Sequence, residues 1–108
     1  MTVQELAAEL SLTPINVDDP DREVTGGYIG DLLSWVMGNA QPGDAWITIM
    51  SNDNVVAVGV LTDVACVILS EGVTLDERVR SLAEKKGVNV YSTELSSFAI
   101  GAKVASLL

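Results

Sequence analysis

The sequence contains no histidine, and this absence limits the chemistry that the chain can perform. Histidine is the most common general base, the most common metal ligand and the usual switch near neutral pH. Serine and threonine are plentiful, but no imidazole is present to activate their hydroxyl groups. We therefore expect that the chain is not an enzyme and that it uses neither a cofactor nor a metal.

Cysteine occurs only once, as Cys66. A single thiol excludes an internal disulfide and a thiolate zinc cluster. Because Cys66 lies within the apolar run of residues 64–69, we expect its thiol to be buried and chemically inert.

Basic residues are scarce and unevenly placed. The chain has six Lys and Arg residues against fifteen Asp and Glu residues, for a net charge of −9, and Arg22 is the only basic residue before Arg78. Without a basic patch the surface cannot follow a phosphate backbone, which argues against binding to nucleic acid. An acidic surface also disfavours binding to anionic membranes.

Long apolar runs are also absent. The longest covers residues 64–69, whereas a membrane-spanning helix needs about 20 apolar residues. Residues 1–5 lack the basic and apolar regions of a secretory signal. Since 48% of the residues are apolar, the chain can build a core. We expect a soluble, cytoplasmic protein whose residues 1–108 form a single domain.

The hydrophobic pattern predicts an alternation of helices and strands. We expect helices at about residues 3–10, 29–37, 54–61, 74–86 and 95–107, and strands at residues 13–17, 46–50, 65–69 and 88–91. Residues 54–61 are ambiguous, because their valines favour a strand. A helix is predicted there, since parallel strands need a crossover and the polar residues 51–54 suit a helix start. The alternation predicts a three-layer α/β/α fold with a mostly parallel sheet.

Small polar residues follow three of the predicted strands. Ligands of open parallel sheets usually bind beyond the carboxyl ends of the strands. We therefore predict ligand contacts at Ser51, Asn52, Ser70, Ser92 and Thr93. The alternative is that these side chains act only as turn and cap residues.

The segment of residues 21–31 is the most unusual in the chain. Gly26 and Gly27 are expected to form a turn before a helix, where backbone N–H groups face an anion. Arg22 could add a charge-assisted clamp on phosphate or carboxylate. We therefore predict a ligand site formed by Arg22, Thr25, Gly26 and Gly27.

Acidic residues surround this segment and offer a different explanation. Arg22 could pair with a neighbouring acid, such as Asp21 or Asp31, and serve only the structure. The acids of residues 18–23 do not have the spacing of an EF-hand loop, and Pro20 interrupts them. We predict a solvated acidic loop and no metal site.

Residues 21–27, Asp-Arg-Glu-Val-Thr-Gly-Gly, resemble the motif for which the DRTGG domain family is named. Glu23 and Val24 stand between the two halves of the motif, so the match is not literal. Residues 28–34, 43–48, 54–58 and 92–98 also resemble family patterns, and together these segments extend the resemblance over nearly the whole chain.

The resemblance implies a three-layer α/β/α fold similar to the N-terminal domain of HPr kinase/phosphorylase. DRTGG domains also occur beside CBS domains and within phosphotransacetylase-like proteins, which implies a regulatory role in a bacterial protein. The family supplies no catalytic residues. We expect a non-catalytic ligand-sensing or regulatory module that binds a small anionic metabolite or a nucleotide.

The alternative function is a protein–protein interaction module that docks onto a partner enzyme or onto itself. Trp35, Trp46 and Phe98 are available as anchors, unless they only fill the core. The mean hydropathy is +0.35, and Phe98 and Ile100 cannot both face the sheet from one helix. We therefore expect a homodimer that covers the apolar side chains left exposed.

Overall fold

The computed structural model describes all 108 residues and contains five helices and five strands. The helices are α1 (Val3–Glu9), α2 (Leu33–Asn39), α3 (Asp53–Thr62), α4 (Glu77–Lys86) and α5 (Ser97–Leu107). The strands are β1 (Thr13–Asn16), β2 (Gly26–Ile29), β3 (Asp44–Thr48), β4 (Cys66–Leu69) and β5 (Val90–Ser92). None of the helices combines the length and the apolarity that a membrane crossing requires.

The five strands form one mixed sheet in the order β1-β5-β4-β3-β2. Strands β2, β3, β4 and β5 are parallel, and β1 runs antiparallel to β5. Helices α2, α3 and α4 connect consecutive parallel strands, as the crossover rule requires. The predicted mostly parallel α/β sheet is therefore confirmed.

Two apolar clusters cover the two faces of the sheet. Helices α2, α3 and α4 pack on one face, over residues such as Trp46 and Val67. Helices α1 and α5 pack on the other face, over residues such as Ile47 and Ile68. Every residue of β3 and β4 is buried, because both faces of these central strands are covered.

Helix starts at two predicted positions are confirmed by their side-chain caps. Thr2 Oγ1 accepts a hydrogen bond from Glu5 N at 3.1 Å, and Thr2 N donates to Glu5 Oε1 at 2.9 Å, which completes a capping box. Asn52 Oδ1 accepts from Asn54 N at 3.0 Å and begins α3. Residues 54–61 therefore form a helix, as the crossover argument predicted.

The turn predicted at residues 26–27 and the helix start predicted at residue 29 were wrong, although residues 33–37 are helical as predicted. Gly26–Ile29 form β2, and its residues lie opposite Asp44 to Ile47 of β3. Helix α2 begins only at Leu33. The non-local pairing with β3 outweighs the low strand propensity of the two glycines, which no local pattern could show.

Two other helices begin later than predicted. Helix α4 is capped by Asp76, whose Oδ1 accepts from Val79 N at 2.9 Å. Thr74 is not the cap, and its hydroxyl donates to Leu75 O at 3.3 Å. Helix α5 begins at Ser97, after the cap residue Ser96.

The three aromatic side chains considered as anchors differ in exposure. Trp46 is buried in the core, whereas Trp35 is 64% exposed and Phe98 is 86% exposed. Ile100 is buried against the sheet. Of Phe98 and Ile100, which cannot both face the sheet, Phe98 is therefore the residue that faces solvent.

We predict opposite effects of alanine at two glycines. A Cβ atom at Gly26 would lie 2.7 Å from Asp44 Oδ1, and this buried carboxylate is held by a hydrogen bond from Gln41 N. Gly26→Ala should therefore lower the free energy of unfolding by about 1–3 kcal/mol. Gly38 of α2 has open space around its Cα, so Gly38→Ala should raise it by about 0.5–1 kcal/mol. Urea unfolding measures both values, and equal stabilities would contradict the close approach at Gly26.

We also predict that native Cys66 resists alkylation at pH 8. Its thiol is buried in β4, and burial raises the pKa to about 12. Iodoacetamide should label the native protein on the order of 100-fold more slowly than the urea-unfolded chain, because labelling needs an opening of the core. Mass spectrometry over time measures both rates. Equal rates would show that the strand is accessible.

Candidate functional site

The predicted site residues are divided between two opposite edges of the sheet. We call the edge where the parallel strands begin the amino edge and the other the carboxyl edge. Arg22 and Thr25 lie at the amino edge, where Thr25 N donates to Gly43 O and Arg22 contacts Asp63. The residues at the carboxyl edge are Ser51, Asn52, Ser70, Ser92 and Thr93. Strands β2, β3 and β4 have four or five residues and therefore span about 13–17 Å. One small ligand cannot contact the residues at both edges.

Gly26 and Gly27 are part of the sheet and do not form a turn before a helix. Neither residue has a positive φ, and both pair with β3. Gly26 allows the buried Asp44 side chain to approach the backbone. The predicted turn is therefore wrong, whereas ligand binding by these residues stays a prediction.

Polar side chains at the carboxyl edge are engaged within the chain. Ser70 Oγ lies 2.6 Å from Ser97 Oγ and joins the end of β4 to the start of α5. Asn52 caps α3, and Thr93 Oγ1 accepts from Leu95 N at 3.2 Å. These contacts are the turn and cap roles that the sequence left open as an alternative.

The carboxyl edge also lacks a cavity. Each of the four cavities of the molecule lies elsewhere. Ligand crevices of open α/β sheets form where the strand order reverses, but β2 to β5 advance in one direction with their three helices on one face. The hydroxyls of Ser51 and Ser92, which make no hydrogen bond within the chain, therefore have no cavity to face.

A cavity of about 190 Å³ opens at the amino edge, beside the starts of β4 and β5. We call it the amino-edge cavity. Its apolar wall comes from α3 and from the residues that precede the two strands. Its polar lining consists of Asp18, Asp19, Arg22, Asp63, Lys86 and Asn89.

Arg22 is held against the C-terminal end of α3. Its Nη1 donates to Asp63 Oδ1 at 3.0 Å, and its Nη2 donates to Asp63 O at 2.9 Å. Asp63 caps α3 with a left-handed φ of 56°, so a cation lies at the negative end of the helix dipole. Arg22 thus pairs with an acid, but with Asp63 and not with Asp21 or Asp31. Since a guanidinium has five N–H donors, the remaining donors are free to bind a ligand.

Asn89 organises the part of the cavity wall formed by the loop after β1, a role that was not predicted from the sequence. Its buried Oδ1 accepts hydrogen bonds from Asp18 N at 2.8 Å and Asp19 N at 2.9 Å. Its Nδ2 donates to Asp19 O at 2.8 Å and Ala65 O at 3.0 Å. The side chain therefore ties the loop after β1 to the start of β4. The available signal was a single polar residue within the otherwise apolar segment of residues 88–91, which was predicted to be a strand.

The charges of the amino-edge cavity are mixed. The lining contains three acidic residues, Asp18, Asp19 and Asp63, and two basic residues, Arg22 and Lys86. Among these groups, only Arg22 and Asp63 form an ion pair with each other. These groups can bind a polar ligand by charge and hydrogen bonds, and none of them is a nucleophile activated by an imidazole.

Comparisons with known proteins agree with the fold. The model of the DRTGG domain family matches residues 33–107, beyond the motif-like residues 21–27. A similar solved structure contains the CBS and DRTGG domains of the regulatory region of Clostridium perfringens pyrophosphatase, complexed with its activator, diadenosine tetraphosphate. The TM-score is 0.72 at 18% identity, and the alignment covers 94% of this chain and 44% of that chain. No curated protein matches this chain.

We predict that Asn89→Ala destabilises the domain much more than Asn39→Ala. The first substitution leaves the backbone groups at residues 18, 19 and 65 without their buried partner, at a cost of about 2–4 kcal/mol. Asn39 is exposed and makes one side-chain donor bond, to Trp35 O, so its loss should cost below about 1 kcal/mol. Urea unfolding compares the two variants. Equal losses would show that Asn89 does not organise the cavity wall.

Proposed function

Because the chain belongs to the DRTGG domain family, we propose that it is a non-catalytic regulatory module that binds a small anionic metabolite or a nucleotide. The observation that carries this proposal is the fold shared with a regulatory region that was crystallised with a nucleotide activator. The chain spans less than half of that relative, so the ligand class comes from analogy with one part of a larger protein.

The side-chain chemistry supports binding over catalysis. The chain has no histidine, and the Cys66 thiol is buried with a pKa of about 12, so it is not a nucleophile at neutral pH. The guanidinium of Arg22 donates hydrogen bonds and accepts none, and its charge suits the recognition of phosphate or carboxylate.

We place the ligand in the amino-edge cavity, against Arg22. Gly43 N donates to the same Asp63 carbonyl that Arg22 binds, and Thr25 contacts Gly43, so Thr25 belongs to the same region. Gly26 and Gly27 continue from it into β2. Lys86 lines the cavity without an ion pair and provides a second cation.

The size of the cavity restricts what can enter it. Pockets for drug-sized ligands measure roughly 300–1,000 Å³, whereas the amino-edge cavity measures about 190 Å³. It can accept a phosphate or carboxylate group, and the rest of a nucleotide would lie outside it. The carboxylates of Asp18 and Asp19 also oppose an anion, so the interaction depends on Arg22.

The second candidate function is protein–protein interaction, including self-association as a homodimer. The exposed Trp35 and Phe98 favour it, because large aromatic side chains anchor interfaces.

We propose a single domain over residues 1–108 that acts in the bacterial cytoplasm. The acidic charge of −9 supports partners other than nucleic acid or membranes.

A thermal-shift experiment with diadenosine tetraphosphate, ATP and inorganic phosphate tests the ligand proposal. A probe at 100 times its Kd should stabilise the protein by about 2.7 kcal/mol. Arg22→Gln should abolish this response and lower stability by about 1 kcal/mol or less, as expected for a solvent-exposed ion pair.

Arg80→Gln is the matched control. Arg80 also pairs with an acid, Glu77, but it lies in α4 outside the amino-edge cavity, so its loss should leave the response unchanged. An equal response of Arg22→Gln and the wild type would place the ligand elsewhere. Absence of any response to the three probes would contradict the anionic-ligand proposal.

A further inference from the structure

The two edge strands of the sheet differ in their protection. Strand β1 carries Pro14, and its register with β5 shifts between Pro14 and Asn16. Proline and bulges are features that prevent a further strand from adding to an edge. Strand β2 pairs with β3 alone, in an unbroken register, and contains neither proline nor charge. Its outer edge is therefore open to another strand.

The elements around this open edge are almost uncharged. Strand β2, helix α2 and helix α5 together contain one charged residue, Lys103, in a chain with a net charge of −9. The nearby Asp31 is held by hydrogen bonds from Thr48 Oγ1 at 2.7 Å and Ile49 N at 2.9 Å. A second copy would thus meet little like charge on this side, although repulsion opposes its approach elsewhere.

An apolar groove of about 220 Å³ runs between β2 and α5. Ile29 and Leu108 line it and are each 50% exposed. Gly101 and Ala105 line it from α5. Gly101 leaves room for the Ile29 side chain of the same chain, whereas the small side chain of Ala105 is exposed. Phe98 belongs to the same stripe of α5, since residues 98, 101, 105 and 108 recur at helical spacing.

We infer that β2 is the edge through which two copies of this chain associate, an inference that rests on the proposed homodimer. About a two-fold axis perpendicular to the sheet, β2 pairs antiparallel with β2 of the second copy, and the two sheets become continuous. The groove and the exposed stripe of α5 then pack against the second α5 on one face. Helix α2 approaches its counterpart on the other face.

The available area suits a dimer of ordinary size. A specific interface needs about 800 Å² from each partner, which is roughly a seventh of the 5467 Å² of accessible surface. With 4, 7 and 11 residues, β2, α2 and α5 make up about a fifth of the chain. Burial of their apolar side chains provides the favourable free energy, and the strand pairing fixes the orientation.

Sedimentation equilibrium of the wild type, at tens of micromolar protein and at low and high salt, measures the association. We expect a dimer that holds or tightens as salt rises, because salt screens the net repulsion. Ala105→Glu places two carboxylates near the axis and should weaken the dimer by about 100-fold or more. Ala8→Glu makes the same change at an exposed position of α1, away from β2, and should leave the dimer intact.

Two further measurements test whether the dimer forms through β2, separately from whether a dimer forms at all. An equal mixture of Ala105→Glu and Ala105→Lys should restore association, since opposite charges then face each other. In the wild type, hydrogen exchange at the amides of β2 should slow as protein concentration rises, whether or not the variants fold. A wild-type monomer at both salt concentrations overturns the dimer and the interface together. A dimer that Ala105→Glu leaves intact, without concentration-dependent protection of β2, overturns only the interface.

Discussion

The burial of β3 and β4 on both faces is the constraint on which the architecture depends. Every residue of these strands is buried, so the remaining chain has to cover two surfaces. Three crossover helices cover one face, and α1 and α5 cover the other. A chain of 108 residues has little left to protect its sheet edges after this. Pro14 and a register shift protect the β1 edge, and nothing comparable protects β2.

One-directional winding determines where polar groups can act. The loops that lead to α4 and α5, which lie on opposite faces, are joined by hydrogen bonds from Glu71 N to Leu95 O and from Gly72 N to Thr93 O. Because β2 to β5 advance in one direction, the carboxyl edge also has no reversal of strand order at which a crevice forms. Its polar side chains, such as Ser70 and Asn52, cap helices and join loops instead. The amino edge differs because the loop after β1 folds across the starts of β4 and β5. Asn89 holds that loop, and the space beneath it becomes a polar cavity.

Local patterns predicted most of the helices and strands, although they placed the starts of α4 and α5 too early. The capping box at Thr2 and the polar start before residues 54–61 each correspond to an observed helix. Strand β2 was not predicted, because its two glycines have low strand propensity and are extended only through their pairing with β3. The site was predictable only in part: Arg22 was identified, but Asp63 lies 41 positions away in the sequence. Asn89 similarly bonds residues about 70 positions away, and no spacing rule connects such partners.

Helix α3 and strand β3 are the elements that lie between the two proposed binding surfaces. The amino-edge cavity opens beside β4, and β2 lies two strands away, about 10 Å, so a second copy at β2 leaves the cavity open. At its C-terminal end α3 carries Asp63, which holds Arg22, and along its length it packs against α2 beside β2. A ligand that binds the donors left free on Arg22 would therefore lie at this end of α3. Since every residue of β3 is buried while α3 exposes Val60 and Leu61, α3 is the less deeply buried of the two elements.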